Sequence, residues 1–123
     1  MAVKTYQDLV VWQKAMALAK SVYEVTSKFP SDEKFGLTSQ LRRAIVSVPS
    51  NIAEGQGRAT TGEFKQFLGQ ARGSLYEVET QLHLAAQLDY IPTTSCEALF
   101  NQTTEVAKLL NGLIRSLRQK TNH

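Results

Sequence analysis

The chain has 123 residues, 42% of them apolar, and its 14 basic and 11 acidic side chains leave a net charge of +3. That is enough apolar material for one ordinary core and one domain spanning 1–123, and too mild a charge to mark a nucleic-acid binder from a single copy. A lone Cys96 and two histidines, His83 and His123, exclude an internal disulfide and a clustered zinc ligand set, so no metal or cofactor is expected. Met1 to Lys4 lead into a mixed polar and apolar pattern with neither a secretory run nor a membrane span, so a cytoplasmic protein with no membrane partner is expected.

Three prolines and seven glycines divide the sequence into four long segments. In the first, predicted as a helix over 6–29, Leu9, Trp12, Met16, Ala19, Tyr23 and Thr26 recur at steps of three and four, as one face of a helix requires. Pro30 disfavours helical geometry in Phe29, and Ser31, Asp32 and Glu33 read as a turn.

The second helix is predicted over 35–56. Leu37, Leu41, Ala44, Val48 and Ile52 mark one side and Ile45, Val46 and Ala53 lie beyond it, a stripe wide enough to need two partners. Pro49 removes one backbone hydrogen bond, and because the apolar phase survives across it the expectation is a kink, not a break. Gly55 and Gly57 supply left-handed geometry for a loop from Gly55 to Ala59.

Thr60 and Glu63 have the capping-box spacing and open a third helix over 60–88. Its stripe, from Phe64 through Leu68, Leu75 and Leu82 to Leu88, is the strongest periodic signal in the chain. Asp89 to Pro92 break it. Thr94 and Glu97 repeat the capping spacing before Leu99, Val106, Leu110, Leu113 and Leu117 form a fourth helix over 94–118. Short connections make sequential helices antiparallel neighbours, so the expected fold is an all-α, up-down-up-down four-helix bundle.

The familiar catalytic templates are absent: no glycine-rich phosphate loop, no nucleophile elbow, no histidine pair and no carboxylate-histidine di-iron motif. His83 reads as a surface histidine and Cys96 as a structural or surface thiol. Tyr6, Trp12 and Tyr23 read as core before they read as a base-stacking platform. Glu77 and Glu79 project from different sides of one helix and are not a catalytic pair.

The stretch from Gln40 to Arg58 places many polar groups in and after a widely apolar helix. Structurally, Arg42 or Arg43 could pair with Glu54 or Glu63 across a helix or subunit boundary, since those carboxylates fit a guanidinium fork. Functionally, Arg42, Arg43, Arg58, Lys65 and Arg72 could contact phosphates, joined by Arg115 and Arg118 near the basic close of the chain. For any single arginine the structural role is preferred.

The segments "LVVWQKAMALAKSVYEVT", "QLRRAIVSVPSNIAEGQGR", "EFKQFLGQARGSLYEVETQL" and "LDYI" resemble the four-helix bundle family named after the protein encoded in 23S ribosomal RNA intervening sequences. The resemblance is collinear from about Tyr6 to Leu117, and its most specific part is the proline followed by "SNIAEG". Members are similar to the accessory variability determinant of diversity-generating retroelements, a basic homopentamer that contacts nucleic acid and the reverse transcriptase. The resemblance therefore implies a homo-oligomer, a pentamer by that comparison, with RNA or DNA as partner. Five copies at +3 give +15, which turns a weak charge into a multivalent one. The rival is a scaffold that docks a protein partner and has no nucleic-acid role, and neither reading is enzymatic.

Overall fold

The computed structural model describes residues 4–121, with four helices: α1 (Val10–Thr26), α2 (Leu37–Gln56), α3 (Thr61–Gln87) and α4 (Thr93–Thr121). Short 3-10 turns at Tyr6–Asp8 and Ser31–Glu33 precede α1 and α2, and no strand occurs among the described residues. Each helix packs on its two chain neighbours, and α4 closes the bundle on α1, so α1 lies diagonal to α3 and α2 to α4. The most extensive packing joins α2 to α3.

The reason for that close approach is the size of the facing residues. The Ser47 and Ser74 hydroxyls hydrogen-bond across the seam. Gly55, buried within α2, has no room for a side chain: a Cβ there would stand 2.7 Å from the Phe67 Cβ and 3.0 Å from the Phe64 ring. The expected loop glycine is thus a packing glycine, because no glycine has positive φ and α2 continues to Gln56. Pro49 lies inside α2, buried, and the helix does not break there.

The core of α2, α3 and α4 follows the predicted stripes except at Leu88, which is exposed beyond the end of α3, and at Leu113, which is half-buried while Ile114 takes the inward position. Leu41, Ile45, Val48 and Ile52 meet Leu68, Leu75, Val78 and Leu82, with Val106 and Leu110 across the bundle, all essentially sealed from solvent. The wide stripe of α2 splits, since Ile45 is buried while Val46 stays 44% exposed.

The predicted face of α1 holds at Thr26, which is buried, and needs correction elsewhere. Val11, Ala15, Leu18, Val22 and Val25 form its buried stripe, whereas Met16 and Tyr23 are 45% and 42% exposed and Trp12 and Ala19 are half-buried. Two helical stripes run side by side on this helix, and the one with smaller residues faces inward because four helices converge there. Tyr6 packs edge-on against Trp12 at 5.2 Å between ring centres. The helix also starts at Val10, after the capping box of Thr5 and Asp8 has closed the preceding 3-10 turn.

Helix ends are closed by identifiable groups. The Thr60 hydroxyl accepts from the Glu63 amide at 3.1 Å and donates to the Glu63 carboxylate at 3.0 Å, so the carboxylate meets the hydroxyl and not the expected backbone amide. α4 begins at Thr93, which puts Thr94 inside its first turn instead of at its cap. α3 ends on Asp89 at φ 61, with the Tyr90 amide donating to the Ala85 carbonyl at 2.9 Å, the six-to-one bond of a Schellman turn.

Two interior glycines of α3 have the opposite character to Gly55. Nothing lies within 4 Å of a Cβ built at Gly69 or Gly73, yet glycine in mid-helix costs roughly 0.5–1 kcal/mol against alanine. Nothing in the monomer offsets that cost.

Candidate nucleic-acid interface

Antiparallel register places the seven candidate cations in two groups. The bond between Ser47 and Ser74 aligns α2 with α3, and the Arg72 guanidinium, donating to the Asn111 side-chain oxygen at 3.0 Å, aligns α3 with α4. Two turns further along, Lys65 stands level with Arg118, and Arg115 lies between that level and Asn111. Arg58 sits in the loop between α2 and α3 at the same end. Arg58, Lys65, Arg115 and Arg118 therefore gather at the end of the bundle where α2 and α4 finish and α3 begins, with Arg72 above them.

Arg42 and Arg43 lie elsewhere. Arg58 follows Arg42 by sixteen residues, nearly all of them in α2, which is about 24 Å at 1.5 Å per residue. The half-buried Arg42 side chain donates through Nε to the Thr26 hydroxyl at 2.9 Å and through an η nitrogen to the Tyr23 carbonyl at 3.2 Å. Its guanidinium also lies 4.5 Å from the centre of the Tyr23 ring. Thr26, itself buried, donates its hydroxyl to the Val22 carbonyl at 2.7 Å. Arg42 thus closes the last carbonyls of α1 with a cation, where the helix dipole favours one.

The expected pairing of Arg42 or Arg43 with Glu54 or Glu63 does not form within one copy. Glu54 pairs with Arg58 at 3.6 Å, one helical turn away, while the Arg58 guanidinium lies 4.7 Å from the Phe67 ring centre. Glu63 is engaged by Thr60. The reason is register, since Glu54 lies three turns beyond Arg42 on the same helix, out of side-chain reach. Arg43 points to solvent.

The two ends of the bundle differ in charge. At the Arg58 end the acids are each engaged locally: Asp8 accepts from the Lys4 and Thr5 amides, Glu54 from Arg58 and Glu63 from Thr60. The opposite end carries Glu24, Asp32, Glu33, Asp89 and Glu97 against Lys28, Lys34, Arg42 and Arg43. There Glu33 ties three elements together, accepting from the Leu37 amide at 3.0 Å and from the Tyr90 hydroxyl at 2.9 Å. Those two bonds, the amide first, hold its carboxyl below the usual carboxylate range, and the same bond to Glu33 pushes the Tyr90 phenol up. This staple carries no sequence signal beyond a turn acid. Sequence reasoning also missed the Thr26, Tyr23 and Arg42 cluster.

The remaining polar side chains of interest do not converge. His83 is exposed and stacks on Phe100 with ring centres 4.2 Å apart. Cys96 is half-buried in the first turn of α4, its sulfur 4.0 Å from the Ile91 carbonyl. Among the described residues no three His, Cys, Asp or Glu side chains are placed to hold a metal ion, and no helix is long and apolar enough to cross a membrane.

The fold is an antiparallel helical bundle with four of the seven candidate cations, Arg58, Lys65, Arg115 and Arg118, at one end. The chain belongs to the 23S rRNA-intervening sequence protein family, whose profile matches residues 7–112. It is similar to a protein of unknown function from the S23 ribosomal protein family of Bacteroides thetaiotaomicron, with 27% identity over 86% of this chain and 96% of that one and a TM-score of 0.79. No curated protein matches the chain.

Proposed function

We propose that the protein is a non-catalytic, cytoplasmic homo-oligomer, pentameric by the family resemblance, that binds nucleic acid through phosphate contacts without reading base sequence. The observation that carries this reading is the gathering of Arg58, Lys65, Arg115 and Arg118 at one end of the bundle. In a ring of parallel copies every such end falls on one face, so a modest charge per chain becomes a continuous basic surface. Phosphates ask only for cations at suitable spacing, which long side chains on helix ends and loops supply. The family name ties its members to intervening sequences of 23S rRNA, which makes RNA the first ligand to try.

The test is binding of a single-stranded RNA and a duplex DNA, measured by fluorescence anisotropy from 50 to 300 mM KCl. With four phosphates neutralised, the logarithm of the association constant should fall against log salt with a slope of about −2.8 on single strands, and removing one of the four cations should make that slope shallower by about 0.7. Arg115→Glu and Arg118→Glu should each flatten the slope while leaving the helical spectrum unchanged. Absence of binding, or a slope near zero, overturns the proposal. A protein captured equally well after nuclease treatment and at high salt supports the scaffold reading in its place.

A further inference from the structure

Two surface features of the bundle have no explanation within one copy. The first is an apolar ridge along the outer seam of α1 and α2, where Met16 and Tyr23 are 45% and 42% exposed and Val46 is 44% exposed, with Trp12 and Ala53 half-buried beside them. Tyr23 and Val46 both flank Arg42, whose guanidinium lies on the Tyr23 ring, so the residues of the two helices form one surface. The second is the outer face of α3, where Gly69 and Gly73, one turn apart, leave open space instead of side chains, flanked by the exposed Tyr76. Large residues without a cover and a helix face opened by two glycines one turn apart suit each other as halves of one interface, because glycine lets a neighbouring helix approach closely.

We infer that the α1–α2 ridge of one copy seats on the glycine face of α3 of a second copy, making a head-to-tail interface that closes into a ring. The occupant is another molecule of this chain because the two faces carry complementary charge beside their apolar and glycine surfaces. The bond between Ser47 and Ser74 sets Val46 level with Leu75 and Arg43 level with Val78. Copies arranged side by side about an axis parallel to the helices keep these heights, which brings Val46 against Gly73 and Tyr76, and Arg43 against Glu77. Arg43 and Glu77 are both exposed and carry opposite charge. Two different faces meeting in this way generate a closed ring or a filament, never an isolated two-fold dimer. The inference rests on the oligomeric reading above and adds to it which faces meet.

The interface is tested with Gly73→Leu and with two single-cysteine variants, Val46→Cys and Tyr76→Cys, each in a Cys96→Ala background. Light scattering gives the mass of the wild type and of Gly73→Leu, and thermal melting followed by circular dichroism reports their folding. Since nothing lies within 4 Å of a Cβ built at Gly73, Gly73→Leu should keep the wild-type helical spectrum and a cooperative melt while falling from oligomer to monomer, its melting temperature lowered only by the loss of association. A short bis-maleimide should cross-link Val46→Cys to Tyr76→Cys in a mixture of the two, and neither variant to itself. A Gly73→Leu protein that keeps the wild-type mass, or a Val46→Cys protein that cross-links alone, overturns the assignment of faces while leaving the oligomer intact. A monomeric wild type defeats the oligomer itself.

Discussion

Arg42 and Arg43 are adjacent in sequence and should respond differently to the same substitution. Arg42→Met keeps the aliphatic length of the side chain but removes the donor to the Thr26 hydroxyl, the donor to the Tyr23 carbonyl and the cation over the Tyr23 ring. A hydrogen bond involving a charged group contributes about 1.5–3 kcal/mol where it is sheltered from water, and a cation over an exposed aromatic ring about 0.5–1 kcal/mol. Both hydrogen bonds come from a half-buried group, one to a buried hydroxyl and one at the surface, and the contributions overlap, so the expected loss is about 2 kcal/mol. For a chain of this size that is a fall in melting temperature of roughly 6–10 °C. Arg43→Met removes a solvated side chain and should stay within about 0.5 kcal/mol in the isolated monomer. Urea denaturation of both variants in the Gly73→Leu background, followed by circular dichroism, measures the difference without contribution from assembly. Equal midpoints for the two would refute the assignment of Arg42 to closing α1. Arg42→Lys sharpens the comparison, since an ammonium cannot reproduce the two-pronged contact and should recover at most part of the loss.

Gly55→Ala should destabilise the protein by about 1–3 kcal/mol, although alanine is the better helix former, because the new Cβ meets the Phe67 Cβ at 2.7 Å and neither backbone can retreat without opening the α2–α3 seam. A denaturation midpoint at or above that of wild type would show that the seam is looser than these distances require. The Glu33 carboxyl is held low in the folded state, so its contribution is fully present above the ordinary carboxylate range and is lost as pH falls through the depressed folded value. Melting temperature followed from pH 7 downward should therefore separate wild type from Glu33→Gln most at neutral pH, with the curves converging under acid, and a gap that widens on acidification would contradict this sign.

The sequence exposed the bundle where one stripe dominated its helix, and misled where two stripes competed. On α3 one stripe dominates, and Leu68, Ala71, Leu75, Val78, Leu82 and Ala85 are all buried as their spacing predicts, while Tyr76 and Leu84 stand off it and the predicted Leu88 is exposed. On α1 the larger residues Trp12, Met16 and Tyr23 drew the prediction, but the inward face is built of Val11, Ala15, Leu18 and Val22. Close packing among four helices selects residues by the space left between backbones as well as by hydrophobicity. The same effect governs the glycines. Gly55 looks like a loop signal beside Gly57, and only the position of Phe67, twelve residues on and across a turn, shows that it is there for want of room. The candidate site was partly legible: the basic character near the chain's end is written in Arg115 and Arg118, whereas their convergence with Arg58 and Lys65 depends on the register of three helices. Arg42 was indistinguishable from Arg43 in sequence because its partners, Thr26 and Tyr23, belong to another helix. Of the large residues that pattern alone assigned to the core of α1, Trp12 packs half-buried at its edge while Met16 and Tyr23 stay outside. A second apolar stripe beside the inward one, only partly used by the bundle, is the pattern the proposed contact with a neighbouring copy accounts for.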